Sequence, residues 1–398
     1  MSEINQEIQP ANAKKQDARN QESLLADATR QDTRNQEALP VDAKKQDVQN
    51  QEGLLEDAKN RDINNQDINS QEIKKQDIMV SVCVVTYNHG KYIGTCLEHI
   101  LNQQRDFNIE VLIHDDASTD NAQDIIRDYQ ERYPDIIKPI LRTENQYSKG
   151  ITNISGAFNF PRAIGKYVAL TDGDDYWCDP YKLKKQVDYM EAHPECVFTF
   201  HSARVVTEDG SLVNGELMRP YKQSCVVKPE ELVDKVVGSP FASFLLRREI
   251  VEKLPDYYVD CPVGDRPLEL MAAAAGDSYY FDEPMSVYRF SIGGSWTESQ
   301  MTGDYVKKQE KFAADLWRMY RSFDEETGGR FHEACMRAGG RNEFLTRVNT
   351  RNFKEIYKAE NREFYKELNF RDRFFIGFEY RLPGLYRWLR DRKNDRKQ

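Results

Sequence analysis

The pattern of apolar and polar residues changes abruptly near residue 80. Residues 1–79 form a five-residue repeat in which every fifth residue from Asp17 to Asp77 is acidic. Each five-residue step turns about 140° beyond a full turn of an α-helix, so the apolar residue of each pentad circles the helix and makes no single stripe. The repeat predicts a polar segment that is disordered or a fraying helix. A helical stalk for self-association is the alternative.

From Val80 onward, short β-branched runs alternate with amphipathic helical patterns. This alternation predicts an α/β fold with a mostly parallel sheet flanked by helices. Ligands bind such sheets at the carboxyl ends of the strands. Three polar loops, which begin at Thr86, Asp115 and Asp172, follow predicted strands. We therefore expect these loops to meet at one edge of the sheet.

The composition fits one large domain with a polar appendage, since the 398 residues are 39% apolar and carry a net charge of -10. The seven cysteines are scattered without a CxxC pair, which suits a reducing cytosol better than a disulfide framework or a zinc site. We expect no secretory signal and no spanning helix, because the chain shows neither pattern. These features predict a cytoplasmic protein, and its acidity argues against nucleic acid as a partner.

The stretch ALTDGDDYWCDP places four carboxylates at the end of a predicted strand. Asp179 precedes a proline and a helical pattern, so it is interpreted as a helix cap. A cap needs only one carboxylate, which leaves Asp172 and Asp174 to be explained. Carboxylates on a short loop are the hard ligands that Mg²⁺ or Mn²⁺ prefers, and such an ion commonly shares its coordination with substrate phosphates. The sequence therefore predicts a divalent cation beside a diphosphate.

The stretch DDAST begins with two further carboxylates at a strand end. Ser118, Thr119 or Asp120 would cap the helix that follows, but capping does not explain Asp115 and Asp116. A carboxylate there can accept hydrogen bonds from a base N–H or a ribose hydroxyl.

Four motifs of this chain are VSVCVVTYNHGKYIGTCLEHILNQ, EVLIHDDASTDN, ENQYSKG and GKYVALTDGDDYWCDPYKLKKQVDYM. In order and spacing they resemble the nucleotide-sugar domain of glycosyltransferase family 2. The resemblance covers about residues 80–295. It implies a GT-A fold, inverting transfer from a nucleotide diphosphate sugar that we expect to be UDP-linked, and a Mn²⁺ or Mg²⁺ cofactor. The DGDDYW motif is similar to that of bacterial enzymes that build capsule, lipopolysaccharide or exopolysaccharide. The expected acceptor is therefore a glycan or a lipid-linked glycan.

The resemblance assigns roles residue by residue. It implies that the nucleotide pocket is lined by Thr86, Tyr87 and Asn88, and that Asp116 binds the uracil or the ribose. Asp172 and Asp174 match the DxD motif, in which the second carboxylate is the usual metal ligand and the first usually faces the nucleotide sugar. Asp175 could substitute as a ligand.

An inverting transfer needs a general base that removes the proton of the acceptor hydroxyl. The segment CPVGDRPLEL resembles the second block of the family, which implies that Asp265 is the base, with Asp260 as the fallback. Asp265 could instead only cap the helix that follows.

The segment YRFSIGGSW resembles the loop that closes over the diphosphate, with Arg289 and Trp296 in matching places. The alternative is a structural lid without ligand contact. Ser291 departs from the family pattern, because relatives of this type commonly carry a histidine there that can touch the metal or a phosphate. Tyr176 or Trp177 could offer a stacking surface for an acceptor sugar, with Trp177 as the candidate, although such aromatic residues are more often part of the core.

The domain boundaries that we predict are 1–79 for the repeat, 80–298 for the catalytic domain and 299–398 for C-terminal helices with a basic, aromatic tail. Such a tail suits contact with an anionic membrane surface, or a docked helix with a solvated basic face. Rival functions are a nucleotidyltransferase, which would need a Gly- and Lys/Arg-rich first loop in place of TYNHGK, and a non-catalytic nucleotide-sugar-binding scaffold. Retention of both the DxD motif and Asp265 argues against the scaffold.

Overall fold

The computed structural model describes residues 78–208, 210–235, 238–290 and 303–395. The N-terminal repeat, and with it the prediction of self-association, lies outside the described residues. Ser291 and Trp296 also lie outside them.

The strands are β1 Ile78–Thr86, β2 Asn108–Asp115, β3 Ile137–Leu141, β4 Tyr167–Asp172, β5 Tyr176–Trp177, β6 Cys196–Val206, β7 Leu212–Met218, β8 Cys225–Val227, β9 Leu245–Arg247 and β10 Asp277–Arg289. The α-helices are α1 Ile93–Leu101, α2 Ala122–Arg132, α3 Lys182–Ala192, α4 Pro229–Val233, α5 Asp256–Val259, α6 Asp265–Ala275, α7 Tyr305–Glu326, α8 His332–Asn349, α9 Phe353–Ile356, α10 Arg362–Glu367, α11 Phe370–Arg381 and α12 Pro383–Asp395. The predicted boundary at residue 80 falls inside β1, which begins two residues earlier because Ile78 pairs with Asn108 of β2.

The strands form one 10-stranded sheet in the order β3-β2-β1-β4-β9-β6-β10-β5, with β7 paired to β6 and β8 paired to β10. The part from β3 to β4 is parallel, and the predicted α/β fold is confirmed. The second part is mixed, because β9 enters antiparallel between β4 and β6. Short connections such as the one from β6 to β7 can join antiparallel strands, whereas a parallel pair needs a longer crossover.

Strand β1 is covered on both faces. Val82 and Val84 belong to one buried cluster together with Ile93 of α1. Cys83 belongs to a second buried cluster together with Phe160, on the opposite face. A central parallel strand that is buried on both faces needs apolar residues at successive positions, which explains the unbroken run VSVCVV.

Helix α7 completes the second of these clusters. Its Met319, Tyr320 and Phe323 are buried together with Leu268 of α6. Arg266 adds a polar link, since its Nε donates to the Tyr320 hydroxyl at 2.9 Å. The start of α6 is therefore held by a helix that follows it by some 50 residues. Among the described residues, no helix has the length and apolar content needed to cross a bilayer.

Candidate active site

The ends of three strands bring the predicted loops together. In the parallel register Thr86 at the end of β1 lies beside Asp115 of β2, and Val85 lies beside Asp172 of β4. The polar loops that follow these strands therefore share the carboxyl edge of the sheet, as expected from the sequence.

The acidic loop runs from the end of β4 to β5. Its Gly173 donates its N–H to the Val85 carbonyl at 2.8 Å. A Cβ on Gly173 would lie 2.7 Å from Oγ1 of Thr86, so only glycine fits between the two strand ends. Asp174 and Asp175 are buried, with 8% and 3% of their surface exposed. The chain thus places adjacent carboxylates in a space where water solvates them poorly.

Crowding of these carboxylates changes their protonation. Burial, together with the charges of Asp174 and Asp265, raises the pKa of Asp172 to about 8. Burial and the charges of Asp174 and Asp172 raise the pKa of Asp175 well above its ordinary value. A cation in this space would favour the ionised forms and reverse both shifts.

Arg289 supports the acidic loop from β10. Its guanidinium donates to the carbonyl of Asp174, and its backbone N–H donates to Oδ1 of Asp175 at 3.0 Å. The guanidinium carbon also lies 4.8 Å from the ring centre of Tyr92 and 4.9 Å from that of Tyr176. The contact of these two rings with Arg289 could not be predicted from the sequence, because it depends on how distant segments meet. The role of Arg289 toward a diphosphate stays a prediction.

Asp265 is the first residue of α6. Its Oδ1 accepts the N–H of Arg266 at 2.7 Å. Burial and the charge of Glu269 raise the pKa of Asp265, and the charge of Asp265 in turn contributes to the raised pKa of Asp172. The base role of Asp265 stays a prediction. The fallback, Asp260, is exposed at the end of α5.

The first loop is tied to the second through Asn88. Its φ is 56°, and its Oδ1 accepts the N–H of Thr119 at 2.7 Å. Thr86 is buried, and its Oγ1 has no hydrogen-bond partner among the described residues. Tyr87 is 41% exposed. Asn88 thus stabilises the loops, and the roles of Thr86, Tyr87 and Asn88 toward a nucleotide stay predictions.

Asp116 is engaged within the protein. Its two carboxylate oxygens accept the backbone N–H groups of Gln146 and Tyr147 at 2.8 and 3.0 Å. Because each carboxylate oxygen has two lone pairs, a further bond to a base or ribose is chemically open. That contact stays a prediction. Asp115 has a local role, since its Oδ1 accepts the N–H of Ser118 at 2.9 Å.

The structure corrects the suggestion that Trp177 stacks on an acceptor sugar. Trp177 is only 1% exposed, its Nε1–H donates to the Ala242 carbonyl at 2.9 Å, and the Lys182 ammonium lies 4.1 Å from its ring centre. The side chain is part of the core.

The interpretation of Asp179 as a helix cap is also corrected. Asp179 accepts the N–H of Tyr181 at 2.8 Å, and Tyr181 is the residue that precedes α3. Asp179 therefore closes the turn that leads into the helix and does not occupy the cap position itself.

His89, in the loop after β1, was not singled out from the sequence. Its Nδ1 lies 3.8 Å from Oδ1 of Asp174. This nitrogen is buried and has no hydrogen-bond partner among the described residues. Across the part of the chain that the structure describes, no three His, Cys, Asp or Glu side chains converge as a ready metal cage. A cation there would share its coordination with a ligand, as the sequence predicts for a diphosphate.

Comparisons with known proteins agree with this arrangement. Residues 81–255 match the model described as Glycosyl transferase family 2. "Uncharacterized protein Rv1520" of Mycobacterium tuberculosis is 34% identical over 225 residues, which cover 54% of this chain and 60% of that protein. The "UDP-Glc:alpha-D-GlcNAc-diphosphoundecaprenol beta-1,3-glucosyltransferase WfaP" of Escherichia coli is 35% identical over 133 residues, which cover 33% of this chain and 48% of that protein.

The crystal structure of S. aureus TarS 1-349 in complex with UDP-GlcNAc is 18% identical, covers 76% of this chain and 87% of that chain, and superposes with a TM-score of 0.46. The chain spans only 60% and 48% of the length of the two curated relatives above. The sequence motifs and the family match agree over the same part of the chain. Residues 81–255, which include the three polar loops of the site, are similar to glycosyltransferase family 2.

Proposed function

We propose that this chain is a glycosyltransferase, and that it moves a sugar, with inversion, from a UDP-sugar to a glycan or lipid-linked acceptor during the assembly of cell-surface polysaccharide. One observation carries the proposal. The loops that follow β1, β2 and β4 meet at the carboxyl edge of the sheet, and the acidic loop buries the carboxylates of Asp174 and Asp175 there. These carboxylates support a donor side with a divalent cation, and Asp265, whose charge contributes to the raised pKa of Asp172, supports an acceptor side.

Asp265 acts as the base in this proposal. As the acceptor oxygen bonds to the anomeric carbon, the bond from that carbon to the diphosphate oxygen breaks, and Asp265 takes the proton of the acceptor hydroxyl. Its raised pKa makes the carboxylate a stronger proton acceptor. Asp172 and Asp174 would hold a divalent cation, which supplies positive charge to the departing diphosphate. Tyr87, exposed beside this edge, would contact the nucleotide.

The nature of the donor and acceptor rests on a relative. The printed name of the Escherichia coli protein gives UDP-Glc as its donor and a GlcNAc-diphosphoundecaprenol as its acceptor. Transfer of that chemistry to this chain supports a UDP-linked donor and a lipid-linked acceptor. It also supports a site of action on the cytoplasmic side of a membrane.

A donor screen tests the function. Purified protein is mixed with Mn²⁺, an acceptor mixture and each of several UDP-sugars, and released UDP is measured. We expect UDP release with at least one sugar and loss of turnover, but not of UDP binding, in Asp265→Asn. Asp135→Asn, an exposed carboxylate outside the site, is the control. A nucleotide-sugar-binding scaffold would bind UDP-sugar without any release, and a fully active Asp265→Asn would place the base elsewhere.

We further propose that the tail formed by α11 and α12 contacts an anionic membrane surface. Its exposed aromatic side chains include Phe370, Phe374 and Trp388, with 77%, 56% and 53% of their surface exposed. Residues 370–398 carry nine basic and four acidic side chains, a net charge of +5 in a chain whose total is -10. Aromatic rings that insert at the headgroup level beside arginines favour anionic lipid over a neutral protein partner.

Sedimentation with lipid vesicles tests this contact. We expect binding to vesicles that contain phosphatidylglycerol, weaker binding to pure phosphatidylcholine, and loss of binding when Phe374→Ser and Trp388→Ser are combined. Tyr181→Ser is the matched control, because Tyr181 is an exposed aromatic residue directly before α3, outside the tail. Equal binding to both lipids would refute the role of charge. Dimers that the double variant disrupts without lipid would show that the tail binds a second copy.

A further inference from the structure

The ring of His89 is held against the acidic loop by both of its neighbours. Asn88 binds Thr119 through its side chain, and the N–H of Gly90 donates to Oδ2 of Asp120 at 2.7 Å. A Cβ at Gly90 would lie 2.1 Å from Oδ1 of Asn121 and 3.1 Å from the backbone nitrogen of Ala122, so a larger residue there would displace the start of α2. The loop therefore presents His89 in a fixed position toward Asp174.

The gap between His89 and Asp174 is too long for a hydrogen bond. Their nearest atoms, Nδ1 and Oδ1, are 3.8 Å apart, beyond the usual limit of about 3.2 Å. The nitrogen is buried without a hydrogen-bond partner among the described residues, which is an unfavourable state for a polar atom. Two donor atoms that share one cation, each at about 2.1 Å from it, lie at most about 4.2 Å apart. The observed spacing meets that condition.

We infer that His89 is a ligand of the divalent cation, together with Asp174. The inference rests on the proposed function, because the cation is the one that would accompany the diphosphate. It places the nitrogen ligand in the loop after β1. Ser291, in the segment after β10, stands where relatives commonly carry a histidine. Imidazole suits transition metals better than Mg²⁺. A site with His89 therefore selects Mn²⁺ over Mg²⁺.

Pulsed electron paramagnetic resonance on the full chain tests this assignment with Mn²⁺ and UDP. A directly bound imidazole gives a ¹⁴N coupling to the Mn²⁺ spin. We expect this coupling in the wild type and its loss in His89→Ala. The affinity for Mn²⁺ should weaken at least about 10-fold in that variant, because even residues that only support a metal ligand change the affinity by about that factor. His89→Asn, which places an amide near the former Nδ1, should restore part of the Mn²⁺ affinity and reduce the preference for Mn²⁺ over Mg²⁺.

His332→Ala is the matched control, because it removes another histidine paired with an aspartate, Asp324 at 2.7 Å, in the C-terminal helices. It should leave the ¹⁴N coupling unchanged. Mn²⁺ that binds with UDP, depends on Asp174 and shows no ¹⁴N coupling would overturn the role of His89 alone. Absence of any Mn²⁺ binding in the wild type would instead refute the metal part of the proposed function. Unchanged Mn²⁺ affinity with weakened UDP binding in His89→Ala would make His89 a phosphate contact and refute the inference.

Discussion

Lys235 forms a buried triad with Arg266 and Glu269 of α6, which tests how the proposed base, Asp265, is supported. Glu269 lies between two cations: its side chain and that of Lys235 are each 3% exposed, and its Oε2 is 2.6 Å from the guanidinium of Arg266. Burial alone would raise the pKa of Glu269, but the charges of Lys235 and Arg266 outweigh it and lower the pKa. Glu269 is therefore ionised at neutral pH, and Glu269→Gln leaves two buried cations without their counter-charge.

The expected loss of stability is large. Removing one partner of a buried ion pair costs about 3–5 kcal/mol, because the remaining charge is left uncompensated. At roughly 2–3 °C for each kcal/mol in a domain of this size, the Tm at pH 7 should fall by about 6–15 °C, which differential scanning calorimetry measures. Asp124→Asn, which breaks an exposed pair with Arg127, should cost less than about 1 kcal/mol. Because the pKa of Glu269 is lowered by folding, its stabilising effect is present at neutral pH and is lost as the pH falls.

The same substitution should change catalysis in a defined direction. The charge of Glu269 helps to raise the pKa of Asp265, so its removal lowers that pKa. The base must be ionised to accept a proton, and the acid limb of the profile of kcat/KM against pH should therefore move to lower pH in Glu269→Gln. An unchanged Tm would refute the triad's role in stability. An acid limb that moved to higher pH would refute the electrostatic link to Asp265.

Three further predictions concern the site and its surroundings. Calorimetry should show UDP binding that depends on Mn²⁺ and is lost in Asp174→Ala but kept in Asp179→Ala; equal UDP affinity with and without metal would contradict the DxD assignment. Deletion of residues 1–77, which ends just before β1, should leave turnover in the UDP-release assay intact, and an inactive truncation would show that the repeat takes part in the reaction. Trp177→Ala should lower the free energy of unfolding by about 3–5 kcal/mol, because it empties a core position. The KM for acceptor in the folded fraction should stay the same, and a selective rise in that KM would support an acceptor role for Trp177.

Much of this site follows from the local pattern of the chain. Parallel strands of similar length end at the same edge, so strand ends at Thr86, Asp115 and Asp172 could be placed together from the sequence alone. The glycine between Asp172 and Asp174 also follows from a tight loop. These inferences depend on neighbours in sequence and on the sheet register, both of which a hydrophobic pattern encodes.

Other features depend on how distant segments meet. The approach of His89 to Asp174 and the position of Arg289 between two tyrosine rings require loops from three strands to be fixed relative to one another. The position of Trp177 could not be decided from the sequence, because an aromatic residue beside acidic residues is suited both to stacking on a sugar and to packing in the core. Only its 1% exposure decides between them.

The hydrogen bond between Arg266 and Tyr320 shows how much of the chain supports the candidate site. The family match ends at residue 255, ten residues before the predicted base at Asp265. The start of α6, which carries that base, is anchored to a helix that lies beyond the match altogether. Exchanging the C-terminal helices between relatives would therefore alter the support of the predicted base, and the smallest fragment that keeps this support should extend at least through α7.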